Sequence, residues 1–213
     1  GFEDIQQAQE SSGVKVRSIC ADYFMEAPIH SANHSVVDKS LGVLYQLIKK
    51  ASKLNITDIV IPCVDQSSLK NEIFLNNFVN NIKSVTKTAE DENVNICLET
   101  DLAPLPFANL IDKIGSNKVT VNYDIGNSAA NGYDPVEEFN AYGQKITDLH
   151  IKDRLLHGPP VILGNGNADI PKVFELLTKF NYLGIIIFQA FRDDEGIKIF
   201  QDQFNWFLKN IKL

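Results

Sequence analysis

VNICLETDLAPLPFANLIDKIGSNKVTVNYD, residues 94–124, contains two short apolar runs separated by a Pro-containing loop and a helix-spaced segment. The runs VNICLE (94–99) and KVTVNYD (118–124) have the length and the Val/Ile/Leu content of buried strands, and each closes on an acidic residue. Between them the apolar spacing predicts a helix over 105–115. With no hairpin signal, the stretch reads as one parallel strand–helix–strand step.

The same alternation continues in both directions. Upstream, residues 2–12 read as a helix stopped by Gly13, followed by a strand over 14–21, a helix over about 35–54 and a strand over 57–64. A helix over roughly 69–92 follows, with Asp65, Ser67 and Ser68 as candidate caps. Downstream, Asp134-Pro135 opens a helix over 135–143, and a strand over 145–152 leads into an irregular segment, 153–168. Asp169 is the expected cap of a helix over 170–180, a strand spans 184–189, and a helix over 195–211 closes the chain. The expectation is a single domain over residues 1–213 with six strands.

Periodicity alone leaves an open doubly wound sheet and a (β/α)8 barrel both standing. No GxGxxG turn follows the first strand, as a dinucleotide-binding open sheet would require. Polar residues close nearly every strand, which favours a barrel, where those ends share one mouth. Six strands fall two short of eight, so the first two strands are expected to be missing from this stretch. The sheet edge this leaves is expected to need a partner chain, and a homo-oligomer would supply one.

Four strand ends carry chemistry: Glu99, Asp124, His150 in ITDLHIKD and Gln189 in GIIIFQA. Two carboxylates, an imidazole and an amide carbonyl form an oxygen/nitrogen shell suited to one divalent cation, with Mn, Mg, Zn and Co all acceptable. Each has a plainer alternative. Glu99 could sit in an ion pair, Asp124 could bond the backbone of Gly126 and Asn127 in a turn, and His150 could be a core residue. Gln189 could bind a metal through its oxygen, donate to a substrate hydroxyl, or do neither.

Around them, Lys152 suits a substrate oxygen or phosphate and Asp153 suits a hydrogen bond from a ligand histidine. Asn127 is a candidate for a substrate hydroxyl, and Arg192 for a carboxylate or phosphate. GNGNAD (164–169) offers an anion site, but an acidic cap at Asp169 would compete for the same N–H groups, so the plain loop is preferred. His157 with Pro159-Pro160 reads as a lid, and His30 and His34 are expected to be exposed.

Over 213 residues, 44% hydrophobic and 22% charged content fits a globular protein. A net charge of −7 argues against a nucleic-acid partner. No run is long enough to span a membrane, and Cys20, Cys63 and Cys97 show no CxxC spacing. Three reduced, buried thiols and a cytoplasmic location are the expectation.

At LETDLAP, NYDIGNS, DLHIKDR and GNGNADIP the chain resembles the xylose isomerase-like TIM barrels, the sugar phosphate isomerase/epimerase group. SICADYF resembles the third-strand region of that family. The resemblance implies metal ligands at Glu99, Asp124 and His150, with Glu99 also a catalytic base. It implies proton transfer beside a carbonyl through an enediolate, on a small sugar or sugar phosphate. Where better-known epimerases carry a second glutamate, this chain has Gln189, which removes one of two bases. The alternatives are a sugar-binding or regulatory barrel that has lost turnover, and a metal-dependent hydrolase like the apurinic endonucleases, which the acidic charge disfavours.

Overall fold

The computed structural model describes residues 1–194 and 196–211. Its elements are α1 (Phe2–Ser12), β1 (Ser18–Cys20), α2 (Tyr23–Glu26), α3 (His34–Lys53), β2 (Asp58–Cys63), α4 (Glu72–Glu92), β3 (Asn95–Thr100), α5 (Pro104–Ile114) and β4 (Val119–Asp124). There follow α6 (Ile125–Asn131), α7 (Pro135–Tyr142), β5 (Ile146–Ile151), β6 (Asp153–Arg154), β7 (Pro160–Val161), α8 (Ile170–Lys179), β8 (Ile185–Phe188) and α9 (Ile197–Asn210). Six strands form one sheet in the order β1-β2-β3-β4-β5-β8, with β1–β2, β2–β3, β3–β4 and β5–β8 paired parallel. The alternation read from the sequence is the alternation observed. Glu195, at the start of the expected last helix, and residues 212 and 213 lie outside the described residues.

By internal packing the chain divides into two compact units, Gly1–Leu102 with Asn109–Val121, and Ala103–Ala108 with Asn122–Leu213. In the first, every residue of β2 is buried, as a strand covered on both faces requires. Val37, Leu44, Ile48 and Ala51 of α3 and Phe78, Ile82, Val85 and Ala89 of α4 recur at helical spacing and are buried. Asn71, not the expected Asp65, Ser67 or Ser68, caps α4 by accepting from the N–H groups of Ile73 and Phe74. Residues Asp65–Ser67 instead form a 3-10 turn. The first strand shortens to three residues because Val14 stays 67% exposed and Gln9 Oε1 of α1 takes the Val16 N–H at 2.7 Å.

In the second unit, β5 and β8 pair from Asp148↔Ile185 to Ile151↔Phe188. Asp134 and Asp169 cap α7 and α8, each with a proline in the first turn. The segment 125–131, which the sequence reading left without a helix, is α6, capped by Asp124. The expected irregular segment holds a two-stranded antiparallel ladder, β6 with β7. Two burial expectations reverse. Cys20 is exposed while Cys63 and Cys97 are buried. His30 is buried against Phe74 and Phe78, at ring-centroid distances of 5.1 and 6.5 Å. Among the described residues no helix is long and apolar enough to cross a membrane.

Candidate functional site

In the first unit, Glu99 is the second-last residue of β3, in register with Pro62 of β2 and buried. Burial pushes the Cys63 thiol up, and the negative charges of Glu99 and Asp101 add to the shift, so Cys63 stays a protonated, inert thiol. Asp101, just past the strand, accepts from Ser68 Oγ at 2.8 Å and pairs with Lys70 at 3.2 Å. These contacts tie the loop after β3 to the segment after β2.

The second unit carries Asp124, His150, Lys152, Asn127 and Gln189. Asp124 closes β4, and its two oxygens are divided between two partners. Oδ1 accepts the Asn127 N–H at 2.8 Å, capping α6, and Oδ2 pairs with Lys152 Nζ at 2.8 Å. The turn reading of Asp124 therefore holds at Asn127, and it leaves lone pairs for a further partner. His150 on β5 is buried, with Nδ1 3.2 Å from the Asn122 side-chain amide nitrogen of β4. Gly126 lets α6 lie close against Lys152. A Cβ there would lie 2.9 Å from Lys152 Cγ and 3.0 Å from its carbonyl carbon.

Arg154 is the residue the sequence reading passed over. Its Nη1 donates to Asn127 Oδ1 at 2.9 Å, while Nε and Nη2 donate to the Gly158 carbonyl at 3.1 and 2.8 Å. The signal was present in HIKDR: His150, Lys152 and Arg154 alternate, which puts three polar residues on one face of an extended chain. Asn122, two residues before Asp124, was likewise legible by alternation and was not singled out.

Asp153 is not where a substrate contact or a histidine partner was expected. Its fully buried carboxylate accepts the N–H groups of Gly164 and Gly166 on Oδ2, both at 2.9 Å, and of Ala168 on Oδ1 at 3.0 Å. GNGNAD does bind an anion through its backbone, and that anion is Asp153 of the same chain. A Cβ on Gly166 would fall 2.1 Å from Asp153 Oδ1, so the loop closes only over glycine. Asp169 caps α8 through the Lys172 N–H at 3.0 Å, as the plainer reading had it. The loop carrying His157 is pinned, with the His157 N–H on the Ala130 carbonyl at 2.8 Å and the Leu155 N–H on the Pro159 carbonyl at 3.1 Å.

Gln189 follows β8, its N–H held by the Ile151 carbonyl at 3.0 Å. Its side-chain Oε1 is buried and has no hydrogen-bond partner among the described residues. It lines a cavity of about 440 Å³ with Phe188, Phe191, Ile197 and Phe200, and with Arg192, which is exposed.

The sequence model of the xylose isomerase-like TIM barrel family matches residues 1–210, and the chain belongs to that family. A curated relative, inosose dehydratase of Geobacillus kaustophilus (strain HTA426), is 29% identical over 102 residues. That match covers 39% of this chain and spans 33% of the relative's length. Among solved structures, a D-tagatose 3-epimerase-like protein superposes with a TM-score of 0.79 at 18% identity, covering 98% of this chain and 82% of that one. The IOLI protein with a bound zinc atom superposes with a TM-score of 0.76 at 15% identity, covering 100% of this chain and 84% of that one. These likenesses establish the TIM-barrel fold.

Proposed function

We propose that this member of the xylose isomerase-like family is a divalent-metal-dependent isomerase or epimerase of a small sugar or sugar phosphate, the whole chain working as one catalytic domain. One observation carries the reading. Glu99, Asp124 and His150, all buried, are the group of ligand-type side chains among the described residues that could hold a metal ion. Two carboxylates and an imidazole, buried together, are a suitable donor set for one divalent cation. The buried, unpartnered Oε1 of Gln189 supports a fourth donor, to the metal or to a substrate hydroxyl. The zinc named for one structural neighbour supports a first-row ion, with Mn, Mg and Co as the other candidates.

A bound cation polarises a carbonyl and offsets the charge that builds on its oxygen. Glu99 takes the proton from the carbon beside that carbonyl and delivers it to the carbonyl carbon itself, while the neighbouring hydroxyl proton passes to the old carbonyl oxygen, which exchanges the two groups as an isomerase does. Gln189 has no basic form, so both transfers use Glu99 and one face of the substrate. Lys152, already on Asp124, turns toward the anionic end of the substrate, while Asn127 and Arg192 meet its hydroxyls or phosphate. His150 would hold the ion through Nε2 if Nδ1 carried the proton, which would require the Asn122 amide to present its oxygen to that ring nitrogen. The free thiols Cys20, Cys63 and Cys97 support a reducing compartment, the cytoplasm.

The test is proton exchange. Purified protein supplied with each of the four metals should incorporate solvent deuterium at carbon beside the carbonyl of at least one ketose or ketose phosphate, read by NMR. No incorporation into any of them sinks the proposal. Gln189 itself favours a second reading, a barrel that binds sugar without turnover. A large gain of epimerase turnover in Gln189→Glu, from a protein that binds sugar but does not exchange protons, would establish it.

A further inference from the structure

We propose that Glu138 is a positioning residue that sets the corner from which Asp124 and Asn127 reach the site; this rests on Asp124 being a metal ligand. Glu138 lies on α7 and is 2% exposed. Its carboxylate collects three hydroxyls. Oε2 accepts from Tyr123 at 2.7 Å and from Ser128, and Oε1 accepts from Tyr142 at 2.7 Å.

The positions of two of those donors matter. Tyr123 immediately precedes Asp124 at the end of β4, and Ser128 immediately follows Asn127 in α6. One carboxylate therefore holds the strand and the helix together from behind, on either side of the segment 124–127. In front, the Asp124 Oδ1 bond to the Asn127 N–H closes the same corner. The third donor, Tyr142, sits one turn along α7 from Glu138, so its bond is internal to that helix and holds nothing at the corner.

A buried carboxylate is a poor way to fill a core, where an apolar side chain of similar size would cost less. Burial pushes Glu138 above the usual carboxylate range, and the three hydroxyls pull it back. The group is kept in place by its donors, and two of the three belong to the corner. The Tyr123 ring also packs edge-on against Phe139, the next residue of α7, at 5.4 Å.

Tyr142 supplies the control. Tyr123→Phe, Ser128→Ala and Tyr142→Phe each remove one hydroxyl from the same carboxylate, and Glu138→Gln keeps its shape. Two readouts on the full chain are needed. The first is amide hydrogen exchange across 125–131 in metal-free protein. The second is Mn or Zn affinity by titration calorimetry. We expect Tyr123→Phe, Ser128→Ala and Glu138→Gln to speed exchange in α6 and to weaken metal binding about tenfold, the usual effect of removing a ligand's outer support. Tyr142→Phe should lose comparable thermal stability while leaving α6 exchange and metal affinity within about twofold. Equal effects from all four variants, or unchanged α6 exchange in the first three, would overturn the inference. A wild-type chain that binds no metal would instead sink the proposed function, and the exchange measurement would still decide whether Glu138 holds the corner.

Discussion

The segments that leave β5 and β8 solve the same problem in opposite ways. After β5, each charged side chain has an internal partner: Lys152 on Asp124, Asp153 under the N–H groups of Gly164, Gly166 and Ala168, Arg154 on Asn127 and Gly158. After β8, the Gln189 Oε1 is buried without a partner among the described residues, and Arg192 points into an open cavity of about 440 Å³. One end is a finished frame. The other keeps a buried acceptor with no hydrogen-bond partner among the described residues. Stability should therefore respond to substitutions after β5, and function to those after β8.

The sharpest break in that contrast is Asp153→Ala. It strands three loop N–H groups, and hydrogen bonds to a charged group are worth roughly 1.5–3 kcal/mol each, with desolvation added when the partner vanishes. A loss on the order of 4 kcal/mol in urea unfolding is expected, with no cation or substrate needed to see it. A loss under about 1 kcal/mol would mean that the GNGNAD loop holds itself closed and that the frame after β5 is not built on Asp153.

Gly126→Ala is expected to come next. The added Cβ meets the carbonyl carbon of Lys152 at 3.0 Å as well as its side chain, so backbone must give way. Overpacking of this kind costs about 1–3 kcal/mol. Because the displaced residue is Lys152, the Asp124 ion pair should loosen too. Metal affinity should then fall along with the melting temperature. Normal affinity in a destabilised variant would separate the frame from the site.

His30 carries the other kind of unfilled valence, away from the strand ends. Its buried Nδ1 has no hydrogen-bond partner among the described residues, and burial lowers its pKa below the ordinary histidine value. The folded state then binds fewer protons than the unfolded one below about pH 6.5. Stability contributed by neutral His30 is complete above that pH and is lost as pH falls toward the depressed value. His30→Phe should flatten the acid side of the stability curve relative to wild type, measured by urea midpoints from pH 7 to 5. Parallel curves would show that His30 protonates without cost in its phenyl cage.

The sequence revealed the frame's strands better than its contacts. β2 to β5 stood out because a strand buried on both faces must be almost wholly apolar, so the polar residue at its end marks the end, and β8 stood out by its Ile run although it is only half-buried. Glu99, Asp124, His150 and Gln189 were located by that rule alone. Asp153 was misassigned because its partners lie 11 to 15 residues ahead, and only the close approach of Gly164 and Gly166 makes them reachable. IGNSAAN hid α6, since a seven-residue helix with two Asn and a Gly has little propensity and exists through its cap on Asp124. His30 moved from the expected surface to the core because loop burial depends on which helix packs over the loop, and Phe74 and Phe78 of α4 pack over it, while Cys20 is exposed as the last residue of the short strand β1.

Gln189→Leu should move stability least of all. It deletes a buried acceptor that bonds nothing in the folded chain, so the lost amide costs little, and the isosteric apolar side chain suits walls of Phe188, Phe191 and Phe200. We expect a change within about 0.5 kcal/mol, or a slight gain. Sugar or metal affinity should nevertheless fall by about tenfold, the value of one buried hydrogen bond to a ligand. Gln203 shows what the opposite result would mean. That glutamine, also buried, accepts from the Leu163 and Phe191 N–H groups and donates to the Phe191 and Ile199 carbonyls. If Gln189→Leu destabilised the chain as Gln203→Leu must, its oxygen would have a structural partner in solution, and the end of β8 would be as finished as the end of β5.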